Sequence, residues 1–265
     1  METRRGHFAV LDAEPAADPA GTVLLVPGYT GSKEDFIAML GPLADAGYRA
    51  VAVDGRGQYE SPGGSDRSGY RLGALAEDVH AQAATLGGGV HLLGHSLGGL
   101  ISRGAVLRDA TPFRSLTLLS SGPGRLSRWP RWRIRVLSKG MPVLGARGVW
   151  RLMNPRPADP DDSVHDFLRR RWLATHPHQL RTTGRLLRYE PDRVELLARA
   201  GVPIHVISGE RDGAWPVEWM DAMAARLGAH RTVIKGAEHS PNAEQPAATA
   251  AALLDFWSTL DTAAS

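Results

Sequence analysis

The sequence predicts an α/β fold: a mostly parallel sheet with helices on both faces and an inserted, mainly helical cap. Three observations carry this expectation. Short apolar runs rich in Val, Ile and Leu alternate with helical patterns along most of the chain, as in parallel strands joined by crossover helices. The alternation stops between about residues 121 and 200 and then resumes, which reads as an insertion over the carboxyl ends of the strands. At 265 residues and 43% hydrophobic content the chain can bury one sizeable core, which leaves disorder out. The expected organisation is a core of residues 1–120 and 201–265 and a cap of residues 121–200.

Each element follows from a local signal. Thr22–Val26 reads as a buried strand ended by Pro27-Gly28. After the turn Thr30-Gly31-Ser32, Glu34–Ala46 reads as a helix with Phe36, Met39, Leu40 and Leu43 along one face. Ala50–Val53 is the next strand, closed by Asp54-Gly55, and Arg71–Leu86 is a helix broken by Gly87-Gly88-Gly89. Val90–Leu93 is a strand, Leu97–Leu107 a helix and Ser115–Leu119 a strand. Beyond the Arg-, Trp- and Pro-rich insertion come a strand at Ile204–Ser208, a helix at Val217–Leu227, a strand at Arg231–Ile234 and a last helix near Pro246–Leu260.

Composition narrows the function. There is no cysteine, which excludes a disulfide framework, a thiolate nucleophile and any cysteine-based metal site. The basic start Met1-Glu2-Thr3-Arg4-Arg5 is not followed by an apolar signal core, and no apolar run approaches a membrane span; a cytoplasmic protein is expected. The net charge of +3 does not suggest a nucleic-acid partner. The charge is unevenly spread: residues 121–200 hold 17 Arg and Lys against 7 Asp and Glu. Those cations either pair with the acidic body and face solvent, or some of Arg125, Arg128, Arg131, Arg133 and Arg135 attract an anionic substrate or partner.

Gly94-His95-Ser96-Leu97-Gly98 matches Gly-x-Ser-x-Gly and lies between an expected strand and an expected helix, the context this motif requires. A serine on so sharp a turn needs a strained backbone, with glycines where a Cβ would collide with the neighbouring strand and helix. A serine hydroxyl needs a base, and the base an orienting acid. Both follow at strand ends: Asp212 in Gly209-Glu210-Arg211-Asp212, and His239 after Lys235-Gly236-Ala237-Glu238. Glu210 is the alternative acid, but it falls earlier in its turn.

At these residues the chain resembles the α/β-hydrolase superfamily, in its serine esterase and lipase-like branch. Pro27–Ser32 resembles the family's oxyanion loop, Asp54–Ser61 its Asp-x-Arg-Gly-x-Gly-x-Ser turn, and His239 through Pro246 its His…Glu-x-Pro ending. The resemblance implies that Ser96 is nucleophile, His239 base and Asp212 orienter, with the backbone N–H groups of Tyr29 and Leu97 as oxyanion donors. There are two departures: Pro27-Gly28 stands where His-Gly is common, leaving Thr30 as a rival donor to Tyr29, and Tyr59 replaces a usual glycine. Tyr29, His95 and Trp215 are the expected substrate contacts. Asp54 and Arg56 are expected to form the turn rather than act, and His176-Pro177-His178 to be solvated loop histidines. Four of the seven Trp, at 129, 132, 150 and 172, fall in the insertion as cap core, acyl pocket or interfacial surface.

The expected function is that of a serine hydrolase cleaving a carboxylic ester or lactone through an acyl-enzyme, on a small-molecule substrate, with no cofactor and no metal. A serine at the nucleophile position disfavours the dehalogenase and epoxide-hydrolase reactions of the superfamily, which use Asp there. The alternatives are a thioesterase on CoA- or carrier-linked acyl groups and a slow-turnover ligand sensor that retains the triad.

Overall fold

The computed structural model of the protein describes residues 1–154 and 162–264. A short hairpin of β1 (Glu2–Thr3) and β2 (Gly6–His7) precedes β3 (Val10–Ala13) and β4 (Gly21–Val26). A 3₁₀ turn at Lys33–Phe36 leads into α1 (Ile37–Asp45), followed by β5 (Tyr48–Val53), α2 (Leu72–Thr85), β6 (Val90–His95), α3 (Leu97–Arg108) and β7 (Phe113–Leu119). Then come α4 (Arg128–Met153), α5 (Ser163–Ala174), α6 (Pro177–Tyr189) and α7 (Val194–Leu197). The chain closes with β8 (Ile204–Gly209), α8 (Val217–Leu227), β9 (His230–Ile234), α9 (Pro241–Glu244) and α10 (Pro246–Ala264).

The main sheet has seven strands in the order β3-β5-β4-β6-β7-β8-β9. Only β3 runs antiparallel, against β5; the other pairs are parallel. Successive strand residues point to opposite faces, and β4 shows how this builds two cores. Leu24 and Val26 pack in the layer that contains α2, α3 and α8, whereas Val23 and Leu25 pack with α1 and α10. All four are buried, as strands covered on both faces must be. Burial on both faces fixes where the carboxyl ends of these strands lie, and with them the starting points of the loops that follow.

The sequence reading and the structure differ in places with physical causes. The edge strand β3 escaped notice because VLDA is short, carries an Asp and is only partly buried. The single helix expected at Glu34–Ala46 is a 3₁₀ turn followed by α1. Among the described residues, the segment between β7 and β8 contains helices and no strand. Its last helix, α7, packs against α3 and α8 and buries Val194 and Leu197 in the main core, so it sits with the body. Helix α4 is kinked at Gly145, whose φ of 63° breaks the helical path. No helix among the described residues is long and apolar enough to cross a membrane.

Candidate active site

Strand β6 ends at His95 and α3 begins at Leu97, so Ser96 alone makes the turn, with φ 53° and ψ −115°. That left-handed backbone is strained for a residue with a Cβ, by roughly 1–3 kcal/mol. The flanking glycines make it feasible. A Cβ at Gly94 would meet the Gly98 carbonyl, and one at Gly98 would meet the Val26 carbonyl oxygen. The Ser96 N–H is secured by the Leu119 carbonyl of β7 at 2.9 Å. Its hydroxyl emerges at the N-terminus of α3, where first-turn N–H groups lack intrahelical acceptors and favour negative charge.

The loops after β8 and β9 bring Asp212 and His239 to this serine. His239 Nε2 lies 3.1 Å from Ser96 Oγ, and His239 Nδ1 lies 3.0 Å from each Asp212 carboxylate oxygen. The Asp212 side chain is fully buried while that of His239 is a third exposed. Asp212 Oδ1 also accepts the backbone N–H groups of Ala214 (2.7 Å) and Trp215 (3.2 Å), which fix the orientation of the carboxylate. Glu210 is exposed and accepts from Gly236 N instead, away from the imidazole. Such a chain can pass the serine proton to Nε2 while Nδ1–H is held by the acid.

The loop after β4 forms the facing wall. Gly31 N–H closes a turn on the Gly28 carbonyl at 3.2 Å, and Gln58 Nε2 donates to that same carbonyl at 2.7 Å. Gln58 is buried, and its Oε1 accepts from Gly55 N at 3.0 Å. Sequence reasoning passed over this residue; its signal was its place inside the Asp54–Ser61 turn. No backbone acceptor is found for the N–H groups of Tyr29, Thr30 or Leu97 among the described residues. The Tyr29 hydroxyl donates to the Leu180 carbonyl of α6 at 2.7 Å, and burial pushes its pKa up.

Asp54 and Arg56 are tied into the turn. Buried Asp54 accepts Lys33 N–H (2.7 Å), Lys33 Nζ (3.1 Å) and Glu60 N–H (3.1 Å), and Arg56 forks onto Asp78 at 2.6 and 2.7 Å. Burial opposes the Lys33 charge, but Glu34, Glu60 and Asp54 outweigh it and raise its pKa. Tyr59, at the position of the usual glycine, takes φ 38°. Its ring packs edge-on against Phe167 of α5 and beneath the Lys33 ammonium.

Ser96 opens into a cavity of about 370 Å³. Its floor includes Gly28, Tyr29, His95 and His239, and its far wall is supplied by Pro130, Arg133, Ile134 and Leu137 of α4 with Leu187 of α6. His95 lines this cavity, and its Nε2 bonds the His239 carbonyl at 2.9 Å. The bond requires Nε2 to be the donor, and burial together with the nearby His239 lowers the His95 pKa to about 4. The expectation that Trp215 contacts substrate is corrected. This residue is fully buried, does not line the cavity, and donates its indole N–H to the Gly124 and Arg125 carbonyls at 3.0 and 3.2 Å. It supports the Asp212 loop from behind.

The four Trp residues expected in the cap split. Trp172 is buried in a small cluster with Met141, Val149 and Leu180, and Trp150 packs beside it; Trp129 and Trp132 are exposed. None of the four lines the cavity. His176 is not a solvated loop residue: it stacks on Tyr70 and its Nδ1 caps α6 by accepting His178 N–H at 3.2 Å. Among the described residues no cluster of three or more His, Asp or Glu could hold a metal ion.

Known proteins can be set beside this geometry. RutD of Variovorax paradoxus (strain S110), which carries the name carbamate hydrolase, is 38% identical over 100 residues, and that match spans 37% of each chain. A thermophilic esterase from Thermogutta terrifontis superposes with a TM-score of 0.79 at 24% identity, covering 98% of this chain and 97% of its own. The enol-lactonase from Burkholderia xenovorans LB400 gives 0.79 at 19% identity, covering 97% and 99%. These two share the fold. The model of the alpha/beta hydrolase family matches residues 23–252, nearly the whole sheet with its elbow, acid and histidine, and the chain is therefore an enzyme of the alpha/beta hydrolase family.

Proposed function

We propose that this hydrolase cleaves a carboxylic ester or lactone through an acyl-enzyme on Ser96. The observation that carries the reading is the unbroken Ser96–His239–Asp212 hydrogen-bond chain at the floor of the cavity. His239 takes the hydroxyl proton as Ser96 Oγ bonds to the carbonyl carbon, then returns it to the leaving alcohol as the C–O bond breaks. Water, deprotonated by the same imidazole, attacks the acyl-enzyme and restores the serine. The oxyanion of each tetrahedral intermediate is held by the N–H groups of Tyr29 and Leu97. Asp212 keeps the proton on Nδ1 and stabilises the transient imidazolium.

Tyr29 and His95 line the substrate space, and helices α4 to α6 act as its cap. The apolar side chains Ile134, Leu137 and Leu187 on the cavity wall favour an acyl group with hydrocarbon character. The partial likeness to RutD supports a second reading on the same machinery, attack on a carbamate carbonyl. Intact-protein mass spectrometry after mixing with candidate esters, lactones, thioesters and carbamates tests the proposal. A mass increase equal to the acyl group, absent from Ser96→Ala, is expected. Tight ligand binding with no acylation, no turnover and no labelling by a fluorophosphonate would refute it in favour of a ligand sensor.

A further inference from the structure

The first part of α4 turns an apolar stripe outward. At about 100° per residue, Trp129, Trp132, Val136 and Val143 fall within about 60° of one another. They lie opposite Ile134 and Met141, the residues by which this helix is buried. Trp129 and Trp132 are 66% and 53% exposed with stacked rings 5.0 Å apart, and Val143 is 82% exposed. Arg128, Arg135 and Lys139 flank the stripe on one side and Arg133 on the other. From Arg125 to Met153 the chain carries eight Arg and Lys and no Asp or Glu. Among the described residues none of those eight cations pairs with a carboxylate.

We propose that this face of α4 docks the enzyme on an anionic lipid bilayer. The stripe runs for about 20 Å along a convex helix, a shape suited to a deformable plane. Tryptophan rings settle at headgroup depth, and flanking cations meet anionic headgroups. A two-fold contact between copies of this chain through the same face would press the four flanking cations of one copy against the four of the other, which repel. Pro130, Arg133, Ile134 and Leu137 of the same helix wall the Ser96 cavity, so docking holds the cavity beside the lipid. The inference goes beyond the ester-hydrolase reading and is tested without turnover.

The test is co-sedimentation of the full chain with phosphatidylglycerol–phosphatidylcholine vesicles and with phosphatidylcholine vesicles alone, at low and high salt. Binding to the anionic vesicles is expected, with a blue shift of Trp emission. It should weaken as salt shortens the screening length from about 10 Å at 0.1 M to about 3 Å at 1 M. Arg128→Gln/Arg135→Gln should bind about 30-fold more weakly, and Trp129→Ala/Trp132→Ala about tenfold or more. Both double variants should keep the thermal midpoint, because all four side chains lie on the solvent side. Equal sedimentation with both kinds of vesicle, or wild-type binding by the folded Trp variant, would overturn the proposal. So would lipid-free self-association abolished by the Trp substitutions, or binding confined to an acidic protein.

Discussion

Two buried histidines set how this fold should respond to acid. His95 has its pKa lowered to about 4 by burial and by His239. His205 is lowered to about 3 by burial, with His230 and Arg231 adding to it. The unfolded chain takes up a proton at each below about pH 6.5, whereas the folded chain does not. A depressed histidine therefore subtracts stability as pH falls from about 6.5 to its folded value, and the loss is absent above that window. By about pH 5 each histidine costs about 2 kcal/mol, hence about 4 kcal/mol for the pair. His176, also lowered by partial burial and by His178, acts in the same direction. Urea unfolding followed by circular dichroism near pH 7 and near pH 5 measures the difference. His205→Gln, which keeps a donor toward Thr232 Oγ1, should cut the acid loss by about half. A wild-type loss under about 1 kcal/mol, or an unchanged loss in the variant, would refute the reasoning.

Three further outcomes are expected. Ser96→Ala should keep the fold and lose on the order of 10⁴-fold or more in activity, read by ester turnover with circular dichroism as control. Asp212→Asn should lower kcat by a factor on the order of 10⁴, because the N–H groups of Ala214 and Trp215 hold the amide oxygen and turn its NH₂ toward His239 Nδ1. That moves the imidazole proton to Nε2, where it cannot accept from serine. Glu210→Gln should leave kcat unchanged, and the reverse ranking would reassign the acid. Lys33→Met should destabilise by about 3–5 kcal/mol by leaving the buried Asp54 carboxylate without its ammonium. A denaturation shift under about 1 kcal/mol would show that the backbone donors to Asp54 suffice.

The sheet, the elbow and the order of the three site residues were legible because each rests on a local rule. TVLLV can bury both faces only as an inner strand, and a serine flanked by Gly94 and Gly98 can turn where a Cβ on either would strike backbone. Asp212 and His239 were legible as residues just past strand ends. Trp215 misled because proximity in sequence to Asp212 says nothing about which side of the loop a large ring occupies; the free carbonyls of Gly124 and Arg125 drew its N–H inward. The direction of His95 is likewise set at long range, by the His239 carbonyl 144 positions away in sequence. The place of Gln58 in the Asp54–Ser61 turn was legible, but its partner was not, because the Gly28 carbonyl belongs to another loop. Long-range polar contacts of this kind carry no periodicity.

Tyr59 shows how the helices between β7 and β8 are joined to the candidate site. A left-handed tyrosine backbone is costly, so the ring must be held by compensating contacts, and it is: by Phe167 of α5 on one side and the Lys33 ammonium on the other. The same helix α5 sends Arg171 to Asp35 at 2.5 Å and to Ser32 Oγ at 3.2 Å. Ser32 and Lys33 directly follow the loop that carries Tyr29, and Tyr59 follows Gln58, which grips that loop at Gly28. Helix α5 therefore bears on the wall facing Ser96 through one charged and one aromatic contact, while α4 supplies the opposite wall. On the proposed mechanism, substitutions in α4 should act through the shape of the cavity, and substitutions in α5 through the placing of the Tyr29 N–H. The first route should move substrate preference with the triad untouched; the second should move kcat on every substrate alike, because each would form an oxyanion in the proposed reaction.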